Sequence, residues 1–178
     1  KGVKIISNDG IEIISNELIY NKNKNTLKVS GDVQIKDKKN NITTEGEEYI
    51  YYKNIEKLES KGKTSSKIQD KYTIESLDLI YERSLSKIHS QNKSNIIDQN
   101  NNNFSFDKFE FNINSNILKA KDLSLFDNLN NQYYLSFAVV NLEENKFLGS
   151  DISIDFEDNL FGNNENNPRL KANSLIAE

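Results

Sequence analysis

The side chains that could do chemistry are few and poorly accompanied. His89 is the only histidine and the chain has no cysteine, so the usual zinc ligand sets and the Ser-His-Asp and Cys-His arrangements cannot assemble. His89 sits between Ile88 and Ser90 in a strand-like pattern, where it reads as a sheet-face residue. Gly62-Lys63-Thr64 has the form of the end of a phosphate loop, but Lys57 stands where the first glycine belongs and no helix pattern follows. Ser60-Lys61-Gly62-Lys63 and Ser84-Leu85-Ser86-Lys87 fit Ser-x-x-Lys without the companion motifs of an acylating serine. Asp151, Asp155, Glu157 and Asp158 could hold a cation or act as an acid pair, yet lack the glycine-centred spacing of a calcium loop. A solvated strand face accounts for them. No catalytic residue, metal or cofactor is expected, and the chain is not expected to be an enzyme.

The stronger signal is a repeat. Tyr20, Tyr51, Tyr81 and Phe111 recur at steps of 31, 30 and 30 residues. Each closes an apolar run and precedes a polar turn and a second run, seen at Thr26–Val29, Glu56–Leu58, Ser86–Ile88 and Ile117–Ala120. A third run completes each unit, at Gly10–Ile13, Asn41–Thr44, Tyr72–Glu75 and Phe104–Asp107. Apolar and polar residues alternate with period two, as in half-buried strands. Gly31 and Gly62 each follow their marker by 11 residues, a spacing that suits a turn needing positive φ.

A unit of this size cannot bury its own apolar face, so neighbours must stack. The fold class expected is all-β: a folded-over antiparallel sheet stack of imperfect repeats. Two sheets of about five strands would make a trough roughly 20–25 Å long. Alternation turns Leu18, Tyr20, Leu27, Val29, Tyr49, Tyr51, Leu58, Ile74, Leu79, Tyr81, Ile88, Phe109, Phe111 and Leu118 inward. Strand patterning continues loosely over 133–156, while the Asn-rich segment Ser90–Asn103 reads as a mobile loop.

Composition agrees. Only 35% of the 178 residues are hydrophobic and mean hydropathy is -0.72, which suits a thin or hollow β structure, while 10% aromatics argue against disorder. The net charge of -4 comes from interspersed signs, leaving no basic face for nucleic acid. No apolar run approaches the ~20 residues of a spanning helix. The chain starts at Lys1 without an apolar leader, so a signal peptide is expected to be either removed or never present. The excess of Asn, Lys and Ile reads as genome bias.

Asn16-Glu17-Leu18-Ile19-Tyr20, a polar turn, then Leu27-Lys28-Val29-Ser30-Gly31-Asp32-Val33 resembles the OstA-like domain of the lipopolysaccharide-transport proteins. The resemblance covers roughly residues 5–140, strongest in this first copy. The tail Asp158–Gly162 and Asn167–Ser174 looks like the segment before the membrane barrel in the outer-membrane assembly branch of that family. It implies residues 1–157 as a V-shaped β-jellyroll and 158–178 as a linker or the start of a segment leading to a barrel. It further implies an apolar interior shielding the acyl chains of lipid A, at the periplasmic face of the outer membrane. Implied partners are lipopolysaccharide, a periplasmic bridge protein and an outer-membrane lipoprotein plug. The bridge would add a strand to an edge formed by Val3, Ile5, Ile11 and Ile13. The alternatives are that the chain is itself the bridge protein, or a structural β-solenoid of an adhesin. A carbohydrate-active β-helix is weaker, since Glu17, Glu48 and Asp78 recur in register but suit a solvated edge.

Overall fold

The computed structural model describes residues 2–144, 146–157 and 168–177. Among them the chain meanders through β1 (Val3–Ile6), β2 (Ile11–Ser15), β3 (Glu17–Asn21), β4 (Thr26–Asp37), β5 (Ile42–Tyr52) and β6 (Lys57–Ile68). It continues through β7 (Tyr72–Leu77), β8 (Ile80–Glu82), β9 (Lys87–Ser90), β10 (Ser94–Asp98), β11 (Asn103–Phe106) and β12 (Lys108–Asn112). It ends with β13 (Ile117–Phe126), β14 (Gln132–Asn141), β15 (Lys146–Asp155) and β16 (Arg169–Ala177). Two single 3₁₀ turns, Lys53–Ile55 and Arg83–Leu85, interrupt the pattern.

Each crossing pairs antiparallel with the next, and each crossing bends from a front sheet into a back sheet. β1, β2, β7, β10 and β11 lie in front, and β3, β8, β9 and β12 lie behind. β4, β5, β6 and β13 to β16 run through both. The bend is made by irregularities in the ladder, between Ser30 and Val33 in β4 and between Gly46 and Glu48 in β5. An extra residue kinks the strand and increases its twist. Gly31 (φ 76°) and Gly62 (φ 80°) take positive φ here, so they serve corners inside continuous strands rather than hairpin turns. Aspartates do the same work at Asp122 (φ 52°) and Asp151 (φ 50°), a residue type that tolerates the left-handed region.

The period of the repeat is fixed at the rims of the folded sheet. On the back rim Asn25, Glu56, Ser86 and Asn116 all have positive φ, and their carbonyls accept the N–H of Lys53, Arg83, Ile113 and Leu142 at 2.9–3.2 Å. Each turn therefore hydrogen-bonds to the corresponding turn of the next rung. On the front rim Asp98 accepts the Asn100 and Asn102 N–H at 2.8 and 2.9 Å, and Asp127 accepts those of Leu129 and Asn131 at 2.9 Å. These are Asx turns, and Asn100, Asn102 and Asn131 serve in them, so part of the Asn excess is turn chemistry rather than bias.

Two sequence expectations change. Ser90–Asn103 contains β10, which pairs with β7 and β11 and buries Ile96. Its inward positions Ser94 and Asp98 are polar because one sits at the corner and the other caps a turn, which hides the strand from an apolar count. The array is also longer than about five strands per sheet, because pairing continues through β14, β15 and β16. Residues 158–167 of the expected linker lie outside the described residues, while Arg169–Ala177 is β16, in register with β15 along its length.

Candidate functional site

Among the described residues the interior between the sheets holds a continuous apolar core. Of the residues expected inside, Val29, Tyr49, Tyr51, Leu58, Ile74, Leu79, Tyr81, Ile88, Phe109, Phe111, Leu118 and Leu27 are buried. Leu18 is half-buried against this core, and Tyr20 is 49% exposed. The difference is positional: β3 pairs only with β4, so Tyr20 has no rung beyond it and its hydroxyl donates to Asn25 Oδ1 at 3.0 Å. Sheet meets sheet through aromatic pairs, Tyr72 on Phe111 (5.4 Å between ring centres, 75° apart) and Tyr133 on Phe147 (5.9 Å, 78°). Both are edge-on contacts, the preferred ring geometry.

Along the corner the lining turns from apolar to hydroxylic. Tyr49 Oη lies 2.8 Å from Thr44 Oγ1, Ser66 donates to Thr44 at 2.7 Å, and Thr64 donates to Ser60 at 2.7 Å. Ser60 Oγ accepts the Leu79 N–H at 2.8 Å, and Ser90 donates to the Leu77 carbonyl at 2.8 Å. The bends free backbone groups from the ladder, and small hydroxyl side chains satisfy them. Burial pushes the Tyr49 hydroxyl up to about 12, against the bonds from Thr44 and Thr64 that lower it.

Opposite the corner the front and back rims face each other across a seam, closed near the N-terminal end by Arg83. Its Nε donates to Asp37 Oδ2 at 2.8 Å and its Nη2 to Asp37 Oδ1 at 3.3 Å. Nη1 donates to Asp9 Oδ2 at 2.7 Å and Glu56 Oε1 at 3.4 Å, and Nη2 to the Asp9 carbonyl at 2.6 Å. All five donors of the guanidinium are engaged. Asp37 also accepts from Lys39 N (3.0 Å), Asn40 Nδ2 (2.8 Å) and Tyr81 Oη (2.8 Å). Burial pushes the Asp37 carboxyl up, but bonds from Arg83, Asn40 and Tyr81 outweigh it and hold the group below its ordinary range. Further along, Lys71 bridges to Glu143 at 3.1 Å, and Asn116 donates to Glu143 at 2.8 Å. The sequence reading missed Arg83 and Asp37. The available signal was that Arg83 is one of only two arginines in a lysine-rich chain, a choice that favours a fixed, multidentate partner.

Space is unevenly distributed inside. At the N-terminal end a mouth of about 480 Å³ is lined mostly by apolar side chains, Ile5, Ile6, Ile11, Ile13, Leu18, Tyr20, Leu27 and Tyr51, together with Ser7, Asn8 and Lys53. At the Arg83 cluster, where Ile11, Ile13 and Tyr51 are shared with the mouth, the interior narrows to a void of about 20 Å³, room for about one water. A second opening of about 250 Å³ lies between Phe104, Leu125 and Tyr133 in front and Val140 and Phe147 behind. The twelve buried residues thus share one interior, which is open at the mouth beside Leu18 and Tyr20 and narrow at the Arg83 cluster.

The edge expectation needs correction for two residues. Val3 and Ile5 lie in β1, which pairs only with β2 and is the free front edge among the described residues. Ile11 and Ile13 lie in β2, paired on both sides by β1 and β4 and buried in the core. The back edge is β3. His89 stands on the outer face of β9, its Nε2 2.8 Å from Glu82 Oε1, away from the interior.

No family model matches the chain, and no curated protein sequence matches it. Among solved structures, the chain is similar to LptH, the LptA-homologous periplasmic component of the lipopolysaccharide transport device of Pseudomonas aeruginosa. The two are 17% identical with a TM-score of 0.54, over 65% of this chain and 86% of that one. At this identity the likeness is one of fold: the chain is an all-β protein of the folded-over jellyroll architecture that LptH adopts.

Proposed function

We propose that the chain is a non-enzymatic lipopolysaccharide carrier of the periplasmic bridge type, shielding lipid A acyl chains between its two sheets. One observation carries this reading: an apolar interior reached through a mostly apolar mouth, in the architecture of a structure from a lipopolysaccharide transport device. Aliphatic and aromatic walls replace water around an acyl chain at about 25 cal/mol per Å² buried, and transfer needs a continuous apolar path rather than reacting groups. A bridge is favoured over the barrel-bearing assembly branch because the similar structure, LptH, is itself a periplasmic component of such a device. The assembly reading rests on the tail motif at 158–174. In this account the protein works in the periplasm and receives or passes its cargo where β1 and β3 offer unpaired edges.

Mass spectrometry of lipid co-purifying with the chain from a Gram-negative envelope tests the reading. Lipid A displaceable by excess lipopolysaccharide is expected. An empty chain that also fails to bind added lipopolysaccharide would sink it and leave a filled structural sandwich.

A further inference from the structure

We infer that Arg83 is a latch across the seam, dividing the interior into a mouth that accepts an acyl chain as it stands and a middle that accepts one only after the latch opens. This rests on the carrier reading above and adds where passage is controlled. The latch joins opposite rims: Arg83 belongs to a back-rim turn, whereas Asp9 and Asp37 border front-rim turns. Its position coincides with the change in available space, since the mouth of about 480 Å³ lies on one side and the void of about 20 Å³ is lined by Asp37, Tyr81 and Arg83 themselves. Beyond it Ile88 and Phe111 are fully covered, so a chain moving along the array must first part the sheets here.

The cluster is built to open without stranding its buried acid. Asp37 keeps Lys39 N–H and Asn40 Nδ2, both from its own front-rim turn, as donors when the rims part, so its carboxylate stays satisfied although the Tyr81 hydroxyl on β8 leaves with the back sheet. Arg83 can leave toward water because two of its three carboxylate partners, Asp9 and Glu56, are 43% and 41% exposed. With three carboxylates around one guanidinium, an incoming acidic headgroup finds no cationic excess at this point. The latch is therefore a gate for chains and not a headgroup site.

The test places a photoreactive benzoylphenylalanine at Tyr20, in the mouth, or at Phe111, beyond the latch, and follows labelling by purified lipopolysaccharide over time. In the parent chain, labelling at Phe111 is expected to lag that at Tyr20. Arg83→Met should speed labelling at Phe111 by about tenfold, the effect of ~1.4 kcal/mol on a barrier, and leave Tyr20 unchanged. The double variant Asp9→Asn, Glu56→Gln removes only exposed partners and should give a smaller acceleration in the same direction, which keeps the test decisive if Arg83→Met unfolds. Unchanged Phe111 rates in folded variants, with Tyr20 labelled normally, would overturn the latch and leave the carrier reading intact. No labelling at either position in any variant would overturn the carrier reading itself.

Discussion

Arg83 and Asp37, 46 residues apart, form a two-pronged ion pair at 2.8 and 3.3 Å in which both side chains are at least 95% buried. Removing one member leaves the other desolvated, a change that costs about 3–5 kcal/mol in buried pairs. Because Asp37 retains three further donors, Arg83→Ala is expected at the low end, about 3 kcal/mol. Urea unfolding measures it, and a loss below about 0.5 kcal/mol, the scale of an ordinary surface change, would show that the pair is not closed in solution.

The same pair sets an acid limit. The folded-state Asp37 carboxyl lies below its ordinary value of 3.8, so the folded protein binds the proton less readily than the unfolded chain. Its contribution is present above the ordinary value and is lost as pH falls through the lowered one. Asp37→Asn should flatten the stability profile below pH ~4. An unchanged acid limb would mean that Asp37 does not contribute to it.

At alkaline pH the sign reverses. The Tyr49 hydroxyl is raised from 10.0 to about 12 by burial, so the folded state holds its proton where the unfolded state has lost it. The stability this provides is present below 10.0 and is lost as pH rises through about 12. Tyr49→Phe should reduce the alkaline slope. Spectroscopic titration of Tyr49 near 10 instead would contradict the burial.

Corner glycines are expected to differ. A Cβ on Gly62 would meet nothing within 4 Å, whereas one on Gly31 would come within 2.9 Å of the Asn16 side chain. Gly62→Ala thus incurs only the left-handed backbone penalty, about 1–2 kcal/mol, and Gly31→Ala more. Thermal unfolding of both variants measures the order, and equal losses would contradict the contact with Asn16.

Strand identity and repeat period were legible because they depend on alternation and spacing, which survive in each copy from Tyr20 to Phe111; alternation alone did not show that Tyr20, on a strand with one neighbour, is 49% exposed. The corner was half legible: Gly31 and Gly62 flagged positive φ, but Asp122 and Asp151 do the same work without announcing it. β10 was missed because its inward positions carry Ser94 and Asp98, and the latch because it joins turns far apart in sequence. Edge status depends on which strand has a neighbour, and alternation does not carry it: β1, with Val3 and Ile5, has one neighbour among the described residues, whereas β2, with Ile11 and Ile13, has two.

The edge assignment is testable. Ile5→Pro should weaken binding of a partner that adds a strand to β1, a second copy or a neighbouring component of the device, while sparing the fold, since β1 has one neighbour among the described residues. Ile13→Pro should unfold the chain, because β2 is held on both sides. Circular dichroism and partner pull-down separate the two, and equal retention of structure would show that β2 is not central.

The central claim is that the inside of the folded sheet, and not its outside, carries acyl chains. Photocrosslinking in cells from Tyr51 and Phe109, both buried between the sheets, and from Lys28, which faces out to pair with Glu48 at 2.8 Å, addresses it directly. The account predicts lipopolysaccharide adducts at Tyr51 and Phe109 and none at Lys28. Adducts at Lys28 alone, or at no position, would contradict it.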